Sequence, residues 1–176
     1  MSDAAAIQAI DSPATLIAVA YEIETDAVER YKLLAEQMET HNNPELVRIF
    51  LDLARAEGLH AEQIRRAAGD LGVEARRGPI GAWRTDSPES ADLSSAHYLM
   101  RPRDALLMAL AGEQRALAFY TELAAASNDA LVKKLAADFA EEEREHVELC
   151  HRLLLRYSPT AGAADADDPD PPLAVD

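Results

Sequence analysis

The sequence predicts an all-α fold: a four-helix bundle made of two antiparallel helical hairpins joined by one long crossover. Three observations predict it. Apolar residues recur at helical spacing along the chain, alanine and leucine are abundant, and strand-like alternation is absent. Four long segments open on helix start signals. The links between the first and second segments and between the third and fourth are short, while the link between the second and third is long.

The first helix is expected from Ser12 to Glu39, with Ser12 at the cap and Pro13 in the first turn, where a missing N–H costs nothing. The second is expected from Pro44 to Leu71, with Asn43 as cap and Gly72 as stop. The third runs from Pro102 to Ala126. The fourth runs from Asp129 to Tyr157, with Asn128 as its expected cap and Pro159 closing it off. Short links, at Thr40 to Asn43 and around Ser127 and Asn128, make antiparallel neighbours. The crossover, about residues 73–101, is long enough to run the length of the bundle, so that the third helix starts from the far end. Ser87-Pro88-Glu89 opens a short helix within it. The bundle domain thus spans residues 1–157. The remaining residues, 158–176, are rich in Pro, Asp and Ala and are expected to be a disordered acidic tail.

A chain of 176 residues buries a core without staples. Its one cysteine, Cys150, excludes an internal disulfide and fits a reducing compartment. The formal charge of -15 repels phosphate backbones, so nucleic acid is not an expected partner. Met1 to Asp11 lacks the basic and apolar pattern of a secretory signal, and no apolar run reaches the roughly 18 residues of a membrane span. The expected setting is the cytoplasm, away from membranes.

Steps of three and four residues give the inward face of each helix. The first reads Ile17, Ala20, Glu24, Ala27, Tyr31, Leu34, Met38, and the third Leu106, Ala109, Glu113, Ala116, Tyr120, Leu123. The second reads Leu46, Phe50, Leu53, Glu57, His60, Ile64, Ala67, Leu71, and the fourth Val132, Ala136, Phe139, Glu143, His146, Cys150, Leu153, Tyr157. The chain is therefore a duplicated hairpin. Glu24 and Glu113 are 89 positions apart and Glu57 and Glu143 are 86 apart; the difference of three is expected in the hairpin loops.

Each seam is apolar except near its middle. Four carboxylates and two imidazoles are thus aimed at one region of a dry interior. A buried carboxylate without a partner costs several kcal/mol or takes up a proton, and no lysine or arginine lies on the seams at that level. Two divalent cations match the four negative charges, and the histidines add neutral nitrogen ligands. Glu-x-x-His places both groups on one helical face, one turn apart. By symmetry Glu57 and Glu143 bridge the two ions, Glu24 and His60 complete one position, and Glu113 and His146 complete the other. Mixed carboxylate and imidazole ligation suits iron or manganese. Tyr31 and Tyr120, two turns past their glutamates, are candidates for hydrogen bonds to ligand carboxylates.

Glu24-Thr-Asp-Ala-Val-Glu-Arg-Tyr31 and Glu113-Gln-Arg-Ala-Leu-Ala-Phe-Tyr120, each followed in order by Glu57-Gly-Leu-His60 or Glu143-Arg-Glu-His146, resemble the elements of the ferritin-like di-iron carboxylate superfamily. The resemblance is strongest to its rubrerythrin and bacterioferritin branch, and it spans all four helices. It implies a ferritin-like bundle with two iron ions, oxygen or hydrogen peroxide as oxidant, and a homodimer. Rubrerythrins typically carry a further glutamate three residues after the third-helix ligand. Ala116 stands there, which moves the site towards the six-ligand bacterioferritin set. A rubredoxin domain needs four cysteines, so the resemblance implies a separate electron donor.

Cys150, the duplicate of Ile64, reads as a small buried apolar residue. His41, His97 and His151 read as structural or surface residues, and Glu141, Glu142 and Glu145 as solvated helix surface. Trp83, Tyr98 and Met100 are expected to pack over the bundle or a partner. The functional expectation is redox chemistry with oxygen or peroxide: ferroxidase, oxidase or peroxide reduction. Iron storage or delivery, and a metal-stabilised binding module without turnover, are the alternatives.

Overall fold

The computed structural model of the chain describes residues 7–75 and 99–157. It contains four long helices: α1 (Pro13–Thr40), α2 (Pro44–Asp70), α3 (Pro102–Ala126) and α4 (Ala130–Arg156). The expected helix at Ser87-Pro88-Glu89, the placement of Trp83, His97 and Tyr98, and the acidic tail lie outside the described residues.

Local chemistry sets the helix ends. The Ser12 hydroxyl accepts from the Thr15 N–H at 3.2 Å, and Asn43 Oδ1 accepts from Leu46 N–H at 3.2 Å, each satisfying an amide the helix start leaves unpaired. α1 ends where Asn42 takes a left-handed φ of 53°. The Asn42 and Asn43 amides then close onto the Glu39 and Met38 carbonyls at 2.9 and 3.0 Å, so Asn42 ends one helix and Asn43 caps the next. Gly72, at φ 67°, ends α2 in the same way: its N–H and that of Val73 bond to Gly69 and Ala68. One cap differs from expectation. Asp129, not Asn128, opens α4, its Oδ1 accepting from Leu131 and Val132 N–H at 2.8 and 2.9 Å. A carboxylate accepting two amides at a helix N-terminus outcompetes a neutral amide one residue earlier.

Within each hairpin the helices pack closely along their length, whereas the backbones of the two hairpins approach one another less closely. The core is two apolar clusters. One contains Ile17, Ala20, Ile64, Ala116, Tyr120, Val132 and Phe139. The other contains Ala27, Tyr31, Phe50, Leu106, Ala109, Cys150 and Leu154. The numbers rise from the first cluster to the second along α1 and α4, and from the second to the first along α2 and α3. Each hairpin is therefore antiparallel, with α1 parallel to α4. The crossover leaves beside the first cluster, where Val73 and Ala75 pack. It returns at the second, where Met100 is buried and its carbonyl accepts from Asn43 Nδ2 at 3.5 Å. It thus connects opposite ends of the bundle, and the fold is ferritin-like. Among the described residues no helix is long and apolar enough to cross a membrane.

Three further details depart from the sequence reading. Both hairpin turns are three residues long; the duplication loses its three residues in the last turn of α3, which ends thirteen residues past Glu113, while α1 runs sixteen past Glu24. On α2 the buried stripe is Phe50, Ala54, Glu57, Ala61, Ile64, Ala68, leaving Leu53 and Ala67 half-buried and Leu71 exposed. On α4 Leu154 is buried in place of Leu153. A seam read at 3.5 residues per turn drifts by about 20° per heptad on a straight helix. Last, a helical turn at residues 7–9 buries Ile7 and Ile10 against the first cluster; their i, i+3 spacing was the available signal.

Candidate metal centre

Glu24 sits mid-way along α1 between Ala20 and Ala27, and Glu113 mid-way along α3 between Ala109 and Ala116, all buried. Small neighbours on both sides leave room around each carboxylate. Glu57 and His60 project from α2, and Glu143 and His146 from α4, each pair one turn apart. The four glutamates are only 2 or 3 % exposed, and among the described residues they are the only buried charged side chains. They form a polar layer between the two apolar clusters.

The six residues singled out from the sequence meet in this layer. Glu24, His60 and Glu143 each bring one potential ligand atom within 4.8 Å of the others; so do Glu113, Glu143 and His146, and so do Glu57, His60 and His146. The two imidazole rings lie 4.1 Å apart between centroids, tilted by 47°. His146 Nδ1 lies 3.3 Å from Glu113 Oε2 and 4.0 Å from Glu143 Oε2.

The tyrosines lie on either side of the layer. Tyr31 stacks on Phe50 at 6.3 Å, and Tyr120 packs between Phe119 and Phe139 at 5.3 and 5.4 Å. Cys150 is buried beside the layer but belongs to none of the three ligand-atom sets. Burial, then the charges of Glu113 and Glu57, pushes its thiol up to about 12. It stays protonated and packs as a small apolar group.

The rubrerythrin family model matches residues 15–83 and 104–167. The chain belongs to the rubrerythrin family. Among solved structures, this rubrerythrin-family chain is similar to an uncharacterised conserved protein of Magnetospirillum magnetotacticum MS-1, at 35% identity and a TM-score of 0.62, over 87% of this chain and 99% of that one. It also shares its fold with the bacterioferritin-related dodecameric thioferritin of Bacteroides fragilis, at 21% identity and a TM-score of 0.50, over 89% and 88% of the two chains. No curated protein matches it.

The electrostatics of this rubrerythrin-family site are those of a cluster short of positive charge. Burial, then repulsion from Glu143, Glu57 and Glu113, raises the Glu24 carboxyl far above the ordinary range. Glu143 is raised likewise by burial and then by Glu113. Glu57 is lifted to about 8 by burial and then by the charge of Glu113. Burial, then the neighbouring His146, lowers His60 to about 4 and keeps it neutral. Burial also works against a charged His146, but its bond to Glu113 and the surrounding carboxylates outweigh that and raise it. Glu24 Oε2 and Glu143 Oε2 remain buried with no hydrogen-bond partner. Unpartnered buried carboxylate oxygens beside neutral imidazole nitrogens are a donor set for metal cations, and the residues fit that use. Glu142, expected in solvent, is half-buried, and burial raises its carboxyl.

Proposed function

We propose that the protein holds two iron ions between Glu24, Glu57, His60, Glu113, Glu143 and His146, with manganese as the second candidate metal. One observation carries this reading: four buried glutamates and two histidines converge in one layer with, among the described residues, no buried lysine or arginine to balance them. Glu143 shares ligand-atom sets with Glu24 and His60 and with Glu113 and His146, and Glu57 shares one with both histidines. That supports Glu57 and Glu143 as bridges, Glu24 and His60 as end ligands of one ion, and Glu113 and His146 as end ligands of the other.

When bound, two ferrous ions supply a pair of electrons to oxygen or hydrogen peroxide. The function we assign is redox turnover with one of these oxidants, as ferroxidase, oxidase or peroxide reductase, with electrons returned by a separate donor. The chain contributes a dry site: the apolar clusters on both sides exclude water and strengthen each charge interaction within the layer. Burial and mutual repulsion favour the protonated forms of Glu24, Glu57 and Glu143 in the metal-free protein, and metal binding favours the release of those protons. Tyr31 and Tyr120 pack on either side of the layer against phenylalanine rings. A homodimer belongs to the same reading, with exposed Leu59 and Leu155 offering apolar surface to bury.

The test is anaerobic loading with ferrous iron, metal analysis, then addition of oxygen or peroxide. Close to two ions per chain, a near-ultraviolet absorption change and repeated turnover with a reductant are expected. Two ions that oxidise once and stay bound favour storage or delivery at the same site. Failure to retain metal overturns the site itself.

A further inference from the structure

The polar layer meets solvent at its histidines. His146 keeps 16 % of its side chain exposed, against 4 % for Glu113 and 3 % for Glu143, and His60 is likewise only half-buried. The two rings are in contact, so the layer opens along the flanks of α2 and α4 that carry them. Glu142 stands on that flank of α4, four residues and one turn before His146. It is half-buried and within electrostatic reach of His146. Two nearby acids on the same helix have cations of their own, Asp138 pairing with Lys134 and Glu141 with Arg144. Glu142 makes no hydrogen bond or ion pair among the described residues. A partly desolvated carboxylate without a partner opposes folding, and the fold does not require one there. In the first hairpin the residues that correspond to Glu141, Glu142 and Glu145 are Arg55, Ala56 and Leu59. The opening beside the histidines is therefore acidic on its α4 side alone.

We propose that Glu142 is the inlet of the metal centre: its carboxylate takes a divalent cation from solvent and passes it by way of His146 to the buried glutamates. This rests on the two-metal reading above. Glu142 is a positioning residue for loading and not a ligand of the filled centre. Negative charge set in a low-dielectric cleft raises the local concentration of cations and speeds their arrival by roughly tenfold or more. An inlet lies on the way out as well as the way in, so its loss slows release too. A charge that merely stabilises the bound ions from a distance acts oppositely on release, because its loss lets them leave faster.

The test is anaerobic stopped-flow mixing of the full-length, metal-free protein with Co2+, followed by visible absorption, and release of the bound Co2+ into excess EDTA. Glu142→Gln should still bind two ions per chain, with uptake and release both slowed by roughly tenfold. Glu145→Gln removes the same charge from an exposed position of α4, where solvent and salt screen it, and should change either rate by less than about twofold. Thermal unfolding checks that each variant folds, and Glu142→Ala, which installs the residue of the first hairpin, replaces Glu142→Gln if that variant does not. Wild-type rates in Glu142→Gln, or equal slowing by Glu145→Gln, overturn the inlet and leave the two-metal reading standing. So does faster release from Glu142→Gln. Uptake of fewer than two ions by wild type overturns both.

Discussion

Raising the pH from 6.5 to 8.5 should destabilise the metal-free protein and leave the metal-loaded protein unharmed. Glu57 is lifted from 4.5 to about 8 by burial and by the charge of Glu113. In the unfolded chain its carboxyl titrates near about 4.3. Between those values the folded state keeps a proton that the unfolded state has released. The contribution of Glu57 is therefore complete below about pH 4 and is lost as pH rises through about 8. Glu24 and Glu143 are raised in the same direction, as is His146. His60, lowered to about 4, acts oppositely, but only below its unfolded value near about 6.5. Above that pH it is neutral in both states, so the window isolates the raised groups. Over the 1.5 units from pH 6.5 to Glu57's value of about 8, at about 1.4 kcal/mol per unit, Glu57 alone accounts for about 2 kcal/mol. For a chain of this size that is a fall in Tm of about 4–8 °C. Bound cations compete with the protons, so their affinity rises over the same window, and at 100 times Kd they add about 2.7 kcal/mol. The assay is thermal unfolding by circular dichroism at pH 6.5, 7.5 and 8.5, with chelator or with anaerobic Mn2+ in excess. A chelated protein whose Tm is flat or rises across this range would refute the assignment of the carboxyls as buried protonated groups.

Three other perturbations follow from the same structure. Glu143→Leu replaces a buried carboxyl that lacks a partner for Oε2 with an apolar group of similar size. The metal-free variant should be more stable by about 1–4 kcal/mol while metal uptake measured by elemental analysis falls, so a destabilised variant with full metal content contradicts the site. Asp129→Ala should cost about 1 kcal/mol in denaturant unfolding because Asp129 caps α4, whereas Asn128→Ala should change stability by less than about 0.5 kcal/mol; the reverse ranking would return the cap to Asn128. Cys150, buried and with its thiol pushed up to about 12, should react with a thiol reagent only on unfolding, so rapid labelling of native protein at pH 8 would place it elsewhere.

The duplicated pattern made the site legible before the fold was seen. A glutamate at one seam position means little, but Glu24 and Glu113 recur in matching contexts, and each precedes a Glu-x-x-His pair. A period of alternating threes and fours was enough to aim all six residues at one level, because near mid-helix the drift between a 3.5-residue and a 3.6-residue repeat is small. Away from the middle the same drift misplaced Leu53, Ala67 and Leu71. The Asn128 assignment failed for another reason: two adjacent cap formers cannot be ranked without backbone angles, and the extended backbone of Asp129 decided it. The hydrogen bond between His146 and Glu113 was beyond sequence reasoning altogether. Duplication predicts equal halves, and the inequality arises from side-chain placement.

The polar layer also explains why the apolar core is divided. A continuous core along all four helices would be more stable, since each buried carboxylate gives up the roughly 1.5–3 kcal/mol that a buried aliphatic side chain contributes and adds a desolvation cost. The bundle accepts this penalty at one level only, confines it between a cluster around Phe139 and Tyr120 and a cluster around Phe50 and Tyr31, and flanks Glu24 and Glu113 with alanines that leave space around the carboxylates. Four charged groups placed where they oppose folding are explained by what compensates them. In the metal-free chain burial favours protonation of Glu24, Glu57 and Glu143. On the proposed two-metal reading coordination would replace it, and the residues that most weaken the empty bundle would then tie its two hairpins together.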